Sequence, residues 1–252
     1  MNNISKLDSK TFELLPLDWD TDYFGVKSAK VVLKKKISKV EQDRILNYCH
    51  KFHFITISNL DNNNENNVWI GKRTKAFLTD LNIQFIKHIN INTQSSTIDK
   101  FTNVYNSFPK NKDVLRIAQK AFLYSRFFND PYLPKEKAQS IYLHWTDCAF
   151  NKPEKYFVIT ERNDKIAGYL LFFINFEKRY ATIELIAVDE IFRSQSIGKS
   201  LIAKLEFFAF KKGIKSIKVG TQVDNVTAVR FYNACGFQYA GCSSIYHYWP
   251  GR

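Results

Sequence analysis

The chain has 252 residues, 45% of them hydrophobic, enough for one large domain or two modest ones with a true core. Lys and Arg (37) outnumber Asp and Glu (24), a formal charge of +13 that attracts polyanions; yet the cations come in ones to threes, as in LKKK at 33–36, so no nucleic-acid stripe is expected. The N-terminus MNNISKLDSK has no apolar leader, and the longest apolar run, YLLFFINF at 169–176, is too short to cross a bilayer as a helix, so neither export nor a membrane partner is expected.

In chain order, KSAKVVLK reads as a strand, VEQDRILNYCHKF as a helix, FITISN as a strand, DNNNENN at 61–67 as an exposed loop and NIQFIKHI as a further strand. Turn formers in NSFPKNKD at 106–113 suggest a boundary, giving a small N-terminal α/β lobe over 1–110 and a second domain over 111–252. Asp113 can cap a helix running to about Phe122. The irregular YSRFFNDPYLP follows, and Pro134 opens a second helix with Ala138, Ile141, Tyr142, Trp145, Cys148 and Ala149 on one face.

Three strand-like runs, KYFVITER, KIAGYLLFFI and RYATIELIAV, are joined by the hairpin-length connections ND and NFEK and predict an antiparallel meander. The spacing then turns helical, with Ile197, Leu201, Leu205 and Phe208 on one stripe and Lys211, Lys212 and Gly213 as a stop. A strand IKSIKVG follows, then a helix VTAVRFYNAC capped by Asp224 or Asn225 and ended by Gly236, and FQYAGCSSIYHYW closes as a strand or hairpin. Cys49, Cys148, Cys235 and Cys242 form no C-x-x-C pair, and the five histidines are scattered. That pattern points to buried thiols in a reducing cytoplasm and to no metal site.

The segment IAVDEIFRSQSIGKSL at 186–201 stops a strand on a small-residue turn and starts a helix at once, a junction whose outward N–H groups suit a phosphate. It resembles the acetyl-CoA motif of the GNAT acyltransferase superfamily, Q/R-x-x-G-x-G/A, with Arg193, Ser196 and Gly198 at the motif positions. DNVTAVRFYNACGF resembles that superfamily's second signature, N-x-x-A-x-x-F-Y-x-x-x-G-F. The resemblance covers roughly residues 155–249. It implies an α/β GNAT fold: a central mixed, mostly antiparallel sheet splayed at the acetyl-CoA site. Ser196 stands where glycine is usual, which is tolerable if the position does not need positive φ.

The resemblance further implies that the backbone of Arg193, Ser194, Gln195, Ser196, Ile197, Gly198, Lys199 and Ser200 cradles the CoA pyrophosphate. Ile186 and Val188 would bind the pantetheine arm and thioester carbonyl, and Asn225 would contact the cofactor arm. The Val188 N–H would stabilise the oxyanion as an amine attacks. Tyr232 would be the general acid protonating the leaving thiolate, although its i, i+3, i+4, i+7 spacing with Ala228, Phe231 and Cys235 also describes a core tyrosine. Glu184, four residues before Val188 on what reads as the same strand face, is the candidate base; a structural charge with water removing the proton is the alternative.

PLDWDTDYFGVKSAKVV and AFLYSRFFNDPYLPKEKAQSIYLHWTDCAF resemble the N-terminal lobe and linker helices of bacterial dTDP-fucosamine acetyltransferases. The implied acceptor is a nucleotide sugar, a dTDP-linked 4-amino-4,6-dideoxysugar acetylated on its 4-amino group for surface polysaccharide (O-antigen) biosynthesis. Arg126, Phe127 and Asp130 would be its binding residues. A homodimer is compatible with the family and with the aromatic-rich last strand. Two other readings stay open: a GNAT enzyme acting on an aminoglycoside or peptide amine, and a non-catalytic module that binds CoA or a nucleotide.

Overall fold

A computed structural model describes residues 6–89 and 99–252. Residues 1–5, part of the segment read for a leader, lie outside the described residues. The chain divides into two compact units: residues 1–83, 125–138 and 241–252 form the first, and 84–124 and 139–240 the second. Neither is continuous, so a single cut at residue 110 falls inside the second unit. The physical reason is that the strand near residue 83 and the last strand each contribute to both units.

In the first unit lie β1 (Leu7–Asp8), β2 (Phe12–Pro16), α1 (Asp18–Phe24), β3 (Ser28–Leu33), α2 (Lys39–Cys49), β4 (Phe54–Asn59), α3 (Asn64–Arg73) and the first part of β5 (Phe77–His88). β2 and β3 pair antiparallel, β3 and β4 parallel, and β11 (Gln238–Tyr248) runs antiparallel to β4 from Ser244↔Asn59 to Tyr248↔Ile55. Every residue of β4 is buried, as a strand covered on both faces requires. α2 starts on a capping box in which the Ser38 hydroxyl accepts from Glu41 N–H and the Glu41 carboxylate accepts from Ser38 N–H.

The asparagine-rich stretch is only partly the expected loop. Asn63 Oδ1 accepts from Asn66 N–H at 3.0 Å and starts α3, and Asn66 is buried, donating to Lys35 O and Asn59 Oδ1. Composition signalled solvent there, and capping overrode it.

The second unit holds the rest of β5, β6 (Thr102–Asn106), α4 (Lys112–Ala121), α5 (Lys135–Ala149, from Gln139 on), β7 (Tyr156–Arg162), β8 (Lys165–Asn175), β9 (Tyr180–Val188), α6 (Ile197–Lys211), β10 (Ser216–Gln222) and α7 (Val226–Ala234). Its strand order is β5-β10-β9-β8-β7-β6, with β9–β10 parallel and β6 to β9 antiparallel. The expected meander is β7–β8–β9, turning at Asn163 and Asp164 with φ of 51° and 57° and at Arg179 with φ 54°. α4 is capped by Asn111, whose Oδ1 accepts from Asp113 and Val114 N–H, rather than by Asp113, which lies in the first turn.

Val114, Ile117 and Ala118 of α4 share a core with Tyr169, Leu171, Leu185 and Ala187. On the expected α5 face, Ala138, Ile141 and Ala149 are buried, Tyr142 and Trp145 half-buried and Cys148 exposed. Of the four thiols only Cys49 is fully buried.

Candidate functional site

The parallel ladder between β9 and β10 begins at Tyr180↔Ser216 and ends at Ile183↔Val219. β9 runs on to Val188 and β10 to Gln222 without further pairing between them. Two parallel strands that part in this way expose main-chain N–H and C=O groups along the open edge of β9, which an extended ligand can take up. β9 stays paired on its other side, through Leu170↔Ile186 and Gly168↔Val188.

The β8–β9 register shifts between Leu171↔Leu185 and Phe172↔Ile183, leaving Glu184 as the extra residue of a bulge. Leu171 and Leu185 turn to the core under α4, whereas Phe172 packs on Phe208 of α6 with ring centroids 6.0 Å apart. The bulge therefore breaks the simple alternation that put Glu184 on the Val188 face. Both Glu184 carboxylate oxygens accept from Lys155 Nζ at 2.6 Å, and Lys155 also lies over the Phe173 ring.

After Val188 the chain makes one 3-10 turn, Glu190–Phe192, and enters α6 through exposed Arg193, Ser194, Gln195 and Ser196. Ser194 and Ser196 both have positive φ, 62° and 58°. The condition under which serine was tolerable here, a position without positive φ, is thus not met: the αL conformation that favours glycine is adopted by serine, at a cost of about 1–2 kcal/mol. Ser196 is the residue preceding α6, and its side chain caps no N–H, so the first-turn N–H groups of the helix keep no side-chain cap from it. Lys199 is exposed, and Ser200 is half-buried in the first turn of α6.

Two glycines allow this approach. A Cβ on Gly198 would sit 3.0 Å from Phe231 Cε2, so that motif glycine lets α6 and α7 meet. A Cβ on Gly168 would sit 2.9 Å from Ala187 O and 3.0 Å from Ile197 Cγ2, so Gly168 lets the first residue of α6 rest on the β8–β9 pair beside Val188. Gly168 was not among the expected site residues; a glycine inside an apolar strand run is the signal that marks such close approach.

Asp189 is the second such residue. Its side chain is 2% exposed and stands 2.7 Å from Arg116 Nη2, while its Oδ1 accepts from Ile191 N–H. Arg116, Lys120, Val188, Asp189, Glu190 and Arg193 line a small cleft open to solvent.

On α7, Asn225 Oδ1 accepts from Ala228 N–H at 3.1 Å, so Asn225 rather than Asp224 is the cap. Tyr232 is the buried residue of that helix, ringed by Phe85, Phe231 and Phe237 at 5.4–5.8 Å. Its hydroxyl makes no hydrogen bond to a described residue, and burial pushes its pKa well above the usual tyrosine range. The phenol is held neutral, able to donate its proton. Lys87 Nζ, bonded to Glu206 at 2.5 Å and to Cys235 O at 2.6 Å, fixes the end of α7.

In the first unit, Arg126 lies with its guanidinium 4.0 Å from the Phe127 ring centroid. Phe127 and Asp130 are buried at 3% and 5% exposure. Asp130 Oδ2 accepts from Trp249 Nε1 at 3.1 Å and lies 2.6 Å from His247 Nδ1. Phe127 thus packs under the Arg126 guanidinium, and Asp130 is taken up by His247 and Trp249. Burial lowers the His247 pKa to about 4 despite the opposing Asp130 carboxylate, so His247 is neutral at pH 7. No helix among the described residues is long and apolar enough to cross a membrane.

Residues 118–237 match the model of the acetyltransferase (GNAT) family. The spore coat polysaccharide biosynthesis protein SpsD of Bacillus subtilis is 29% identical over 139 residues, 55% of this chain and 47% of that protein. An uncharacterized N-acetyltransferase of Methanocaldococcus jannaschii is 33% identical over 131 residues, 50% of this chain and 55% of that protein. The chain thus spans about half the length of the curated relatives it matches. Among solved structures, a GCN5-related N-acetyltransferase from Sphaerobacter thermophilus has a TM-score of 0.60 at 11% identity, covering 94% of this chain and 76% of that one. A functionally unknown conserved protein from Staphylococcus epidermidis has a TM-score of 0.64 at 10% identity, covering 99% and 95%. These likenesses show the fold.

Proposed function

We propose that this chain, whose residues 118–237 match the model of the GNAT acetyltransferase family, transfers acetyl from acetyl-CoA to the 4-amino group of a nucleotide-linked 4-amino-4,6-dideoxysugar. The observation that carries the transfer chemistry is the parting of β9 from β10 after Ile183↔Val219, directly ahead of the αL turn into α6. The residues present fit the cofactor: an extended pantetheine needs an open strand edge, and a pyrophosphate needs outward N–H groups at a helix start. Ile186 and Val188 hold the arm, residues 193–200 the diphosphate, and Asn225 contacts the arm from α7.

Acetyl-CoA, when bound, supplies the activated acyl group. The Val188 N–H then stabilises charge developing on the carbonyl oxygen. Tyr232 donates its phenolic proton to the departing thiolate, the role for which a neutral, unbonded hydroxyl is suited. The amine must lose a proton as it attacks. Glu184 was the expected acceptor, but Lys155 already occupies both its oxygens, which favours water in that role.

The acceptor class rests on the polysaccharide-biosynthesis relative and on Arg126, a cation braced on an aromatic ring as a diphosphate-linked ligand would use it. The soluble nucleotide-sugar pool implies a cytoplasmic setting. The test is acetyl-CoA-dependent thiol release against dTDP- and UDP-linked 4-amino-4,6-dideoxysugars, an aminoglycoside and a lysine peptide. Turnover confined to a nucleotide sugar supports the proposal. Turnover with the aminoglycoside or peptide alone reassigns the acceptor, and CoA binding without turnover on any acceptor refutes the transfer reading in favour of a binding module.

A further inference from the structure

Resting on the acetyl-CoA reading above, we propose that Arg116 of α4 is a positioning residue that sets the β9–α6 turn through Asp189. The turn has an unusual construction. Residues 193–196 are exposed and include two serines at positive φ, a conformation an unbraced loop would relax from. What fixes it lies at its two ends. At the far end Ile197 is buried against the Gly168 position. At the near end Asp189 makes four contacts at once.

The Asp189 N–H donates to Ala167 O at 2.9 Å, extending the β8–β9 ladder one residue past Val188. Its carbonyl accepts from Phe192 N–H at 2.9 Å, and Oδ1 accepts from Ile191 N–H at 3.2 Å, so the 3-10 turn begins on this residue. Oδ2 stands 2.7 Å from Arg116 Nη2, which also reaches Asp113 at 3.3 Å. A buried carboxylate persists as a charge only when paired and hydrogen-bonded. Burial works against ionising Asp189, and the Arg116 ion pair together with the Ile191 N–H bond outweighs it, holding its carboxyl below the ordinary range. Lys120 and Glu190, paired at 3.3 Å and both more than half exposed, and the exposed Arg193 are the other charged groups facing this corner. Without Arg116 the Asp189 carboxylate loses its charge partner, and the turn loses its anchor beside Val188.

The variants are Arg116→Ala, Arg116→Lys, Asp189→Asn and the Arg116→Ala/Asp189→Asn double. Amide hydrogen exchange on the unliganded protein reads turn order, calorimetry with CoA reads affinity, and thiol release separates KM from kcat. In Arg116→Ala, exchange at 190–199 rises about tenfold while 201–209 is unchanged, CoA affinity falls about tenfold and kcat stays within about twofold. Arg116→Lys recovers most of the loss, and the double variant is no weaker than the weaker single. Unchanged exchange at 190–199 overturns the proposal, and so does an additive double variant, which would mean Arg116 touches the ligand itself. If the wild type binds no CoA, the acetyl-CoA reading falls, and the exchange result alone upholds or overturns the Arg116–Asp189 clamp.

Discussion

Gly168→Ala probes how closely α6 must approach the β8–β9 pair. The added methyl would lie 2.9 Å from Ala187 O, 3.0 Å from Ile197 Cγ2 and 3.4 Å from Leu201 Cδ1. One of these neighbours is a ladder carbonyl and cannot swing away, so the helix start must move. Overpacking of this kind costs about 1–3 kcal/mol. Removing a glycine from the unfolded chain returns about 0.4–1 kcal/mol, since nothing in the Gly168 backbone conformation forbids alanine. The net expectation is a loss of about 1–2 kcal/mol, or a melting temperature lower by about 3–6 °C for a chain of this size. Thermal and urea denaturation measure it, with Gly71→Ala as the control. Gly71 lies inside α3 with open space around its Cβ position, so alanine there stabilises by about 1 kcal/mol. A neutral or stabilising Gly168→Ala would show that the close approach is not what the glycine is for.

Three further outcomes follow from the geometry. Tyr232→Phe should slow turnover about 10²-fold or more while CoA binding, measured by calorimetry, stays within about twofold; turnover at the wild-type rate removes Tyr232 from the acid role. Ser196→Gly, relieving an αL serine, should raise the unfolding free energy by roughly 1 kcal/mol in urea titrations, and a decrease would mean the hydroxyl outweighs the strain. His247 has a folded pKa of about 4 against 6.5 unfolded, so the unfolded state takes up the proton first as pH falls. Its contribution is complete above pH 6.5 and drains away toward pH 4, by up to about 3 kcal/mol; a His247→Asn variant whose stability falls as steeply as the wild type over that window would contradict the assignment.

Much of the second unit was legible because its signals are local and redundant. The ND and NFEK turns, the change from period 2 to period 3.6 at Ile197, and Gly213 and Gly236 as helix stops all sit where sequence placed them, Gly213 and Gly236 with φ of 67° and 78°. The first unit was less legible. β2 and α1 are short and carry no strong period, and α3 hides in an asparagine run whose composition says solvent while its capping says helix. Unit boundaries were illegible in principle, since β5 and β11 contribute to both units and no composition shift marks such sharing. Glu184 shows another limit: alternation along a strand assigns faces only while the ladder is regular, and one bulge re-aims everything before it.

The candidate cofactor site shows why a scan for reactive side chains finds so little. The groups that would hold the ligand are main-chain N–H and C=O, and what sequence must specify is their direction. That work falls to residues that never need touch a ligand: Gly168 and Gly198, which admit α6 to its seat, and Asp189, which ties Val188 to the turn. The residues between those fixed points, Arg193 to Gln195, are exposed, and among the described residues their side chains make one long hydrogen bond, Gln195 Nε2 to Ile191 O at 3.5 Å. Substitutions within 193–195 should therefore change ligand preference more than stability, whereas changes at 168, 189 and 198 should move both together, because the same contacts that fold the turn also aim its backbone.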